Sequence, residues 1–345
     1  MRRIIGLILA GLGAFLIVAA LLLPTYIAGQ VVKFPINTYV VTTLLGPNVS
    51  YFSPSLVRPV SAATMRVTDT VKGDGAASTS STAVWNEFTY LYDVTNAKVF
   101  QYSSRRAAFD RRTSQLVDCC GAHVGGNTSI HQTGLSGYVW PIGTQQRTYD
   151  VFDTTLYRPM PYVYAGMAAI HGITVYRFVE HVTHARAGSQ TLPGSLVGSP
   201  GQASVTLPEY YTATNTDYVD PRTGAILKVT ETQRLTLEDG TGTQRLLLFN
   251  GTLAMTPQSV QAAVNLDQSG RNKLSLLKVV LPLVAGLAGV AALIGGILLA
   301  RRGPGEHPDM VDTEGPSPSW IPWSGRRPPP AHATPRAGGP AAGSR

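Results

Sequence analysis

The sequence predicts a mainly β (α+β) domain held between two transmembrane helices. The first observation behind this is that two apolar runs without a charge, residues 4–23 and 279–300, lie near the ends of the 345-residue chain. The second is the pattern between them, where Val, Thr and aromatic residues recur with a period of two and are bounded by Asn, Asp and Gly, as in strands and hairpins. The charged fraction of 14% is also well below the value of about 25% found in soluble domains.

Both apolar runs are long enough to cross a bilayer, because a helix needs roughly 20 residues for a hydrocarbon core of about 30 Å. The first run also exceeds the roughly 7–15 apolar residues of a secretory signal. We therefore expect an uncleaved anchor, with a cleaved signal ending near residue 28 or 29 as the alternative. The predicted organisation is a cytoplasmic start (1–3), a transmembrane helix (4–29), an extracytoplasmic β-rich domain (30–273), a second transmembrane helix (277–300) and a disordered, Pro-rich cytoplasmic tail (301–345).

The flanking charges predict the orientation. Arg2 and Arg3 precede the first run, and Arg301 and Arg302 follow the second. Basic residues favour the cytoplasmic side, so both termini are expected inside and the bulk of the chain outside the inner membrane. Lys278 flanks the outer end of the second run, where a lysine can extend its ammonium group to the interface.

The net charge of +8 does not indicate nucleic-acid binding, because residues 30–274 carry 19 basic and 16 acidic side chains. The pairs Arg105-Arg106 and Arg111-Arg112 are interpreted as solvated loop or hairpin residues. An anionic lipid head-group site is the alternative for such pairs.

Several strands follow from the alternation. Residues 64–72 place Met65, Val67 and Val71 on one face, and residues 84–92 and 99–102 continue the pattern. Residues 172–186 form the longest alternating run, apolar on both faces. The next strand is expected after residue 226, toward residue 237, and the Gly-, Ser- and Pro-rich residues 187–207 are expected to form a surface loop.

Turn and cap residues mark the ends of the elements. The segment Asp220-Pro221-Arg222-Thr223-Gly224 predicts a hairpin turn, since Pro presets the first turn position, Asp caps it and Gly accepts a positive φ. Residues 110–117 resemble it, which indicates two hairpins with related turns rather than a repeated domain. Thr256-Pro257 predicts an N-cap followed by a helix leading toward the second anchor.

Cys119 and Cys120 are the only cysteines. Outside the cytoplasm they can pair with each other or with another chain. Neighbouring Cα atoms are about 3.8 Å apart, closer than in most disulfides, but a turn before Gly121 could hold a bridge. A bridge between the two, free thiols and an intermolecular link therefore remain as alternatives.

The sequence indicates no catalytic residue, no cofactor and no metal site. His181 and His184 are three apart, which on a regular strand places them on opposite faces. His123 and His131 lie in a Gly-rich segment, where surface histidines are the simpler interpretation. Motifs such as G-x-S-x-G, H-E-x-x-H and a phosphate-binding glycine loop are absent from the sequence, and we expect the protein not to be an enzyme.

Small residues recur at helical spacing in both apolar runs. Such stripes allow membrane helices to approach closely, although Gly and Ala are also common in membrane helices generally. The residues of the two stripes are Gly6, Ala10 and Ala14, and Ala292, Gly296 and Ala300.

The motifs Phe109-Asp110-Arg111-Arg112-Thr113, Asp118-Cys119-Cys120-Gly121 and Asp220-Pro221-Arg222-Thr223-Gly224, together with the two apolar runs, resemble an actinobacterial family of unknown function labelled a porin PorA-type protein. The resemblance leaves out the tail and implies no catalytic residues. Its layout also resembles that of class B scavenger receptors, in which two anchors hold a domain enclosing a lipid tunnel. The strands here lack the outward apolar band of a membrane barrel.

Two functions are therefore expected. The first is a non-enzymatic, membrane-anchored envelope protein that binds or passes lipids or other hydrophobic molecules, with membrane lipids, envelope proteins or further copies of itself as partners. The alternative is a porin-like or channel subunit acting as an oligomer. The first predicts an apolar cavity in the β domain, lined by some of its many aromatic residues. The residues that motivate it are Trp85, Phe88, Tyr90, Phe100, Trp140, Phe152, Tyr176 and Phe178.

Overall fold

A computed structural model of the chain describes residues 2–301. It confirms a mainly β domain flanked by two apolar helices, while the predicted tail from residue 302 onward lies outside the described residues. By length and composition, the helices Arg2–Tyr26 and Pro257–Arg301 could each cross a membrane. The helical elements are α1 (Arg2–Leu22), a π-helical turn (Leu23–Ile27), α2 (Ala28–Val31), a 3₁₀ turn (Gly194–Val197), α3 (Pro257–Ser275), a second π-helical turn (Leu276–Val280) and α4 (Leu281–Arg301).

The β domain is one antiparallel sheet. Its strand order is β5-β4-β3-β2-β1-β12-β11-β10-β9-β8-β7, with β6 paired to β4. Hairpins therefore connect most neighbours, and β1 pairs with β12 in the middle of the sheet. The strands are β1 (Tyr39–Ser53), β2 (Arg58–Gly73), β3 (Thr82–Asp93), β4 (Lys98–Asp110), β5 (Leu116–Val117), β6 (His123–Val124), β7 (Tyr149–Asp153), β8 (Arg158–Ile170), β9 (Ile173–Leu192), β10 (Val205–Val219), β11 (Ile226–Glu238) and β12 (Gln244–Met255).

The alternating segments of the sequence correspond to strands β2, β3, β4, β9 and β11. On β2, Met65, Val67 and Val71 are buried on one face as predicted. The prediction of a loop over residues 187–207 is partly wrong, because β9 continues to Leu192 and β10 begins at Val205. Backbone pairing with β10 overrides the weak strand propensity of Gly188 and its neighbours.

Five turns share one conformation, in which an Asp or Ser is followed four residues later by a residue with positive φ. The Asp or Ser side chain accepts a hydrogen bond from a backbone N–H two or three residues on, for example from Arg222 to Asp220 at 2.8 Å and from Thr113 to Asp110 at 2.8 Å. The predicted kinship of these two turns is thus confirmed. The five pairs are Ser53/Val57, Asp93/Ala97, Asp110/Ser114, Asp153/Tyr157 and Asp220/Gly224.

One short segment, residues 134–136, joins the two edges of the sheet. Leu116 N–H donates to the Gly134 carbonyl at 2.9 Å on the β5 side. On the β7 side, Leu135 N–H donates to the Asp150 carbonyl at 2.8 Å, and Phe152 N–H donates to the Leu135 carbonyl at 3.1 Å. The sheet therefore curls so far that a single strand-like segment completes the ring of hydrogen bonds, and it encloses an interior.

Helix α3 connects this domain to α4. The Thr256 side chain accepts a hydrogen bond from Ser259 N–H, and proline occupies the first turn, which confirms the predicted helix start. Further along, Asp267 accepts a hydrogen bond from Thr223, and Arg271 forms an ion pair with buried Asp220 at 2.9 Å. The turn between β10 and β11 is thus fastened to α3.

Helices α1 and α4 pack directly against each other through glycines, of which Gly6 and Gly296 belong to the predicted stripes and Gly13 and Gly289 do not. A Cβ at Gly6 would lie 2.7 Å from the Gly296 carbonyl oxygen, and a Cβ at Gly13 would lie 2.6 Å from that of Gly289. Only glycine allows this approach, so the two stripes meet within one chain at Gly6 and Gly296.

We predict that Gly134→Ala destabilises the fold more than Gly143→Ala does. Both glycines have positive φ, but a Cβ at Gly134 would lie 2.7 Å from the Asp150 carbonyl oxygen, whereas nothing lies within 4 Å of a Cβ at Gly143. The backbone strain, of roughly 1–2 kcal/mol, is common to both, so the clash at the closing segment supplies the difference. Thermal unfolding of the purified full chain in detergent measures it, and equal melting temperatures would contradict the closing role of this segment.

Candidate functional site

Six carboxyl groups form the most unusual feature of the sheet interior. They lie on six different strands and are named here the acidic lining. None of them is on an exposed loop, and each is buried or half-buried. The members are Asp69 (β2), Glu87 (β3), Asp153 (β7), Glu180 (β9), Asp217 (β10) and Glu231 (β11).

The mutual influence of these groups shows that they face one space. The charge of Glu231 raises the pKa of Asp69, and that of Glu87 raises the pKa of Glu231. In a flat sheet, β2 and β11 would be about 14 Å apart, because β1 and β12 lie between them. The curl of the sheet brings these side chains toward one another across the interior.

Burial is the main cause of the raised pKa values, since it disfavours the charged form of a carboxyl. It raises the pKa of Asp69 and Glu180 to about 8, that of Glu231 to about 7, and that of Asp217 to about 6. Burial also raises the pKa of Glu87, although the Arg105 charge opposes the shift. At neutral pH the lining is therefore only partly ionised.

Neutral donors hold several members in place. Asn215 donates to Glu180 at 2.6 Å, the Trp140 indole N–H donates to Asp217 at 3.1 Å, and Thr89 donates to Asp69 at 3.1 Å. Among the described residues, Glu180 Oε1 and Asn215 Oδ1 are buried without a hydrogen-bond partner. Such atoms are expected to bind water or a polar solute.

Arg105 supplies a positive charge beside the lining. It is opposite Glu87 in the β3–β4 pairing, and its guanidinium donates to Gln132 and to the Ser136 carbonyl, each at 2.8 Å. Arg105-Arg106 were interpreted as solvated loop or hairpin residues; they lie in the β3–β4 hairpin, but the expected solvation was wrong for Arg105. Arg105 is 6% exposed on β4, and Arg106 pairs with Asp74 at 2.9 Å, because strand alternation sends the two side chains to opposite faces.

Comparison with known proteins identifies the family. Residues 5–298 match the Porin PorA family. The chain belongs to this family. No curated protein matches the sequence.

The family match covers both apolar helices and the whole sheet, so the acidic lining lies within the porin-family region. Sequence reasoning missed the lining although a signal was present. Asp69 continues the face of Val67 and Val71, which was predicted to be apolar and buried. An acidic residue at such a position of an alternating strand indicates a polar interior.

Most of the aromatic residues that predicted an apolar cavity pack against other aromatic rings. Trp140 stacks on Phe178 with ring centroids 4.1 Å apart, and Trp85 meets Phe109 edge-on at 4.9 Å. Phe88 instead lies on the outer face, 49% exposed. The apolar part of the interior is built largely by aliphatic residues of β1, β2 and β12, which are Leu44, Met65, Val67, Leu253 and Met255.

The histidines do not form a ligand set. Both His181 and His184 lie on the outer face of the sheet, where they contact Thr214 and Glu238 respectively. The prediction of opposite faces was wrong, because a bulge in the β9–β10 pairing adds one residue between them. Within residues 2–301, no three His, Cys, Asp or Glu side chains are placed to hold a metal ion.

Cys119 and Cys120 occupy the turn between β5 and β6, and their sulfur atoms are adjacent. Cys120 has a positive φ, and its carbonyl accepts a hydrogen bond from Arg106 at 2.8 Å. The pair lies on the exposed side of the edge strand, apart from the acidic lining. A bridge between them remains a prediction.

We predict that the full chain becomes less stable as the pH rises from about 4 to about 8. Carboxyls in an unfolded chain titrate near 4, whereas those of the lining titrate higher, so the folded state binds more protons in this range and loses stability as they leave. Thermal unfolding in detergent at pH 5, 7 and 9 measures the trend.

The double variant Asp69→Asn/Glu180→Gln should flatten this dependence, because its amides stay neutral throughout. The exposed-site variant Asp118→Asn serves as the control and should keep the wild-type slope. A slope that is unchanged in the double variant would show that other groups cause the pH dependence.

Proposed function

We propose that the protein is a porin-like, non-enzymatic envelope protein whose acidic interior concentrates cations and polar solutes at the membrane. The observation that supports this most directly is the acidic lining, with six carboxyls inside a curled sheet and Arg105 opposite one of them, Glu87. A concave surface of one charge sign with low-dielectric walls raises the local concentration of opposite charges. Membership of the Porin PorA family fits this role.

Passage across the lipid requires more than one copy in this proposal. The two apolar helices of one chain pack tightly along their glycines and enclose no channel between them. Several copies could surround a pore with their helices, with the β domains as acidic vestibules above it. The partners proposed are therefore further copies of the chain and the surrounding membrane lipids.

The proposed location is the inner membrane, with both termini cytoplasmic and the β domain outside. The arginines flanking the two apolar helices support this orientation. Helix α1 is proposed to remain attached as an anchor, because its glycines fit against α4. Cys119 and Cys120 are proposed to form an intramolecular bridge in this oxidising compartment.

A second function, the binding of lipids or other hydrophobic molecules by the β domain, is favoured by the aliphatic part of the interior. Leu44, Met65 and Val67 form a buried apolar wall there. This function predicts lipid that co-purifies with the chain and is detected by native mass spectrometry. Its retention should not depend on the carboxyls of the acidic lining, which distinguishes it from the first function.

We predict that the full chain, reconstituted in planar bilayers, conducts cations in preference to anions. The preference should increase from pH 6 to pH 9, because Asp217, Glu231 and Glu180 ionise successively over this range. The reversal potential under a KCl gradient measures the selectivity.

The variant Asp217→Asn/Glu231→Gln should lower the selectivity and weaken its pH dependence. The matched control Asp118→Asn/Asp150→Asn removes two exposed carboxyls and should behave as wild type. The absence of any conductance would rule out the channel role, and a selectivity equal to wild type in the lining variant would rule out the lining as its source.

We also predict the accessibility of the two cysteines. In intact cells, a membrane-impermeant maleimide should label Cys119 and Cys120 only after treatment with an impermeant reductant, because the thiols are bridged and lie outside. The variant Cys119→Ser/Cys120→Ser controls for background, since the chain has no other cysteine. Labelling without reductant would disprove the bridge, and labelling only after lysis would disprove the orientation.

A further inference from the structure

Two cavities meet where the β domain joins the helix pair. The upper one, of about 400 Å³, lies between the β4–β5 turn and the ends of the helices, and Arg112, Thr113, Ile142 and Lys278 help to line it. The lower one, of about 740 Å³, is an apolar groove along α1 and α4. Lys278 lines both, so the two cavities are neighbours.

The lower groove has the length and chemistry of a hydrocarbon chain site. It runs from Lys278 down α4 to Ile294, with side chains of α1 on its other side. Its aliphatic residues are largely uncovered by protein, as for Leu21 at 67% and Leu287 at 68% exposed. A groove of this kind beside two membrane-spanning helices faces lipid rather than water.

Two basic side chains that line the upper cavity, Arg112 and Lys278, are free to bind an anion. Nearby Arg111 is already occupied, since its guanidinium donates to the carbonyls of Phe34 at 2.7 Å and Ser80 at 3.2 Å. Arg112 and Lys278 are exposed, and neither forms an ion pair with another residue between 2 and 301.

One carboxylate, that of Asp110, also lines the upper cavity. Its Oδ1 atom is occupied by three donors of its own turn, which are Arg112 N–H at 2.9 Å, Thr113 N–H at 2.8 Å and the Thr113 hydroxyl at 2.9 Å. The cavity therefore has a net positive charge, because Arg112 and Lys278 outnumber the single carboxylate of Asp110. This charge complements an anionic group.

The position of the site at the level of the lipid head groups favours a lipid over a second copy of the helix pair as its occupant. Lys278 precedes α4 by three residues, which places its ammonium group at the level where lysines reach lipid head groups. An apolar groove alone would fit either a helix or an acyl chain. The cations directly above it fit a phosphate whose acyl chain descends into the groove.

We infer that the junction of the β domain and the helix pair is a binding site for an anionic phospholipid, with its phosphate between Arg112 and Lys278 and one acyl chain in the groove of α1 and α4. This site is separate from the acidic lining, and it does not depend on the function proposed for the interior.

The test uses the full chain in detergent micelles and native mass spectrometry with added phosphatidylglycerol or phosphatidylcholine of identical chains. Wild type should bind phosphatidylglycerol more tightly than phosphatidylcholine, on the order of tenfold for two phosphate-contacting cations. Arg112→Gln/Lys278→Gln should abolish this preference. The control Lys98→Gln/Lys273→Gln removes the same charge from exposed positions outside both cavities and should preserve it.

Two further measurements separate the parts of the site. Gly286→Leu fills the groove and should weaken the binding of both lipids, whereas inorganic phosphate at millimolar concentration should fail to displace phosphatidylglycerol. Equal affinity of wild type for the two lipids, or an unchanged preference in the Arg112/Lys278 variant, would overturn the inference. Full displacement by inorganic phosphate, or a lipid-free dimer that covers the groove, would overturn it as well.

Discussion

The structure depends on how the backbone N–H and C=O groups at the two edges of a long antiparallel sheet find hydrogen-bond partners. Unpaired N–H and C=O groups at an edge invite pairing with other chains. Here the segment around Leu135 hydrogen-bonds to both edges, and Leu135 itself is 1% exposed. This closure turns one face of the sheet into an interior. Side chains on strands that are distant in the sheet order, such as Asp69 on β2 and Glu231 on β11, thereby come near each other.

The interior is consequently divided by chemistry. Aliphatic side chains of β1, β2 and β12 form one wall, and the acidic lining draws on strands from both halves of the sheet. Burying six carboxyls is costly unless they are neutral or paired, and the fold uses both means. Protonation at neutral pH relieves Asp69 and Glu180, while Arg105 opposes the charge of Glu87. Arg105 also donates to the Ser136 carbonyl in the closing segment, so charge balance and sheet closure share one residue.

Local signals in the sequence sufficed for the strands and turns. Alternation on β2 and the turn at Asp220 depend on residues close in the chain, and both were predicted correctly. The acidic lining depends on curvature, which places β2 near β11 and has no local signature. The bulge at His184 and the burial of Arg105 escaped prediction for the same reason, since pairing partners decide them. The helix pair was predicted only in part. The sequence indicated that small-residue stripes allow close packing, but it did not indicate that the two stripes pack against each other.

The fastening of α3 to the turn after β10 has a mechanical consequence. The helix Pro257–Arg301 runs from the floor of the β domain into the apolar segment, and Thr223 and Asp220 hold it there through Asp267 and Arg271. The π-helical turn Leu276–Val280 lies between α3 and α4, so these contacts hold α3 directly and α4 through that turn. The same turn also contacts Trp140, whose backbone N–H donates to the Gly224 carbonyl at 2.8 Å. The Trp140 indole N–H also donates to Asp217, so a series of polar contacts joins the base of the second apolar helix to a carboxyl of the acidic lining.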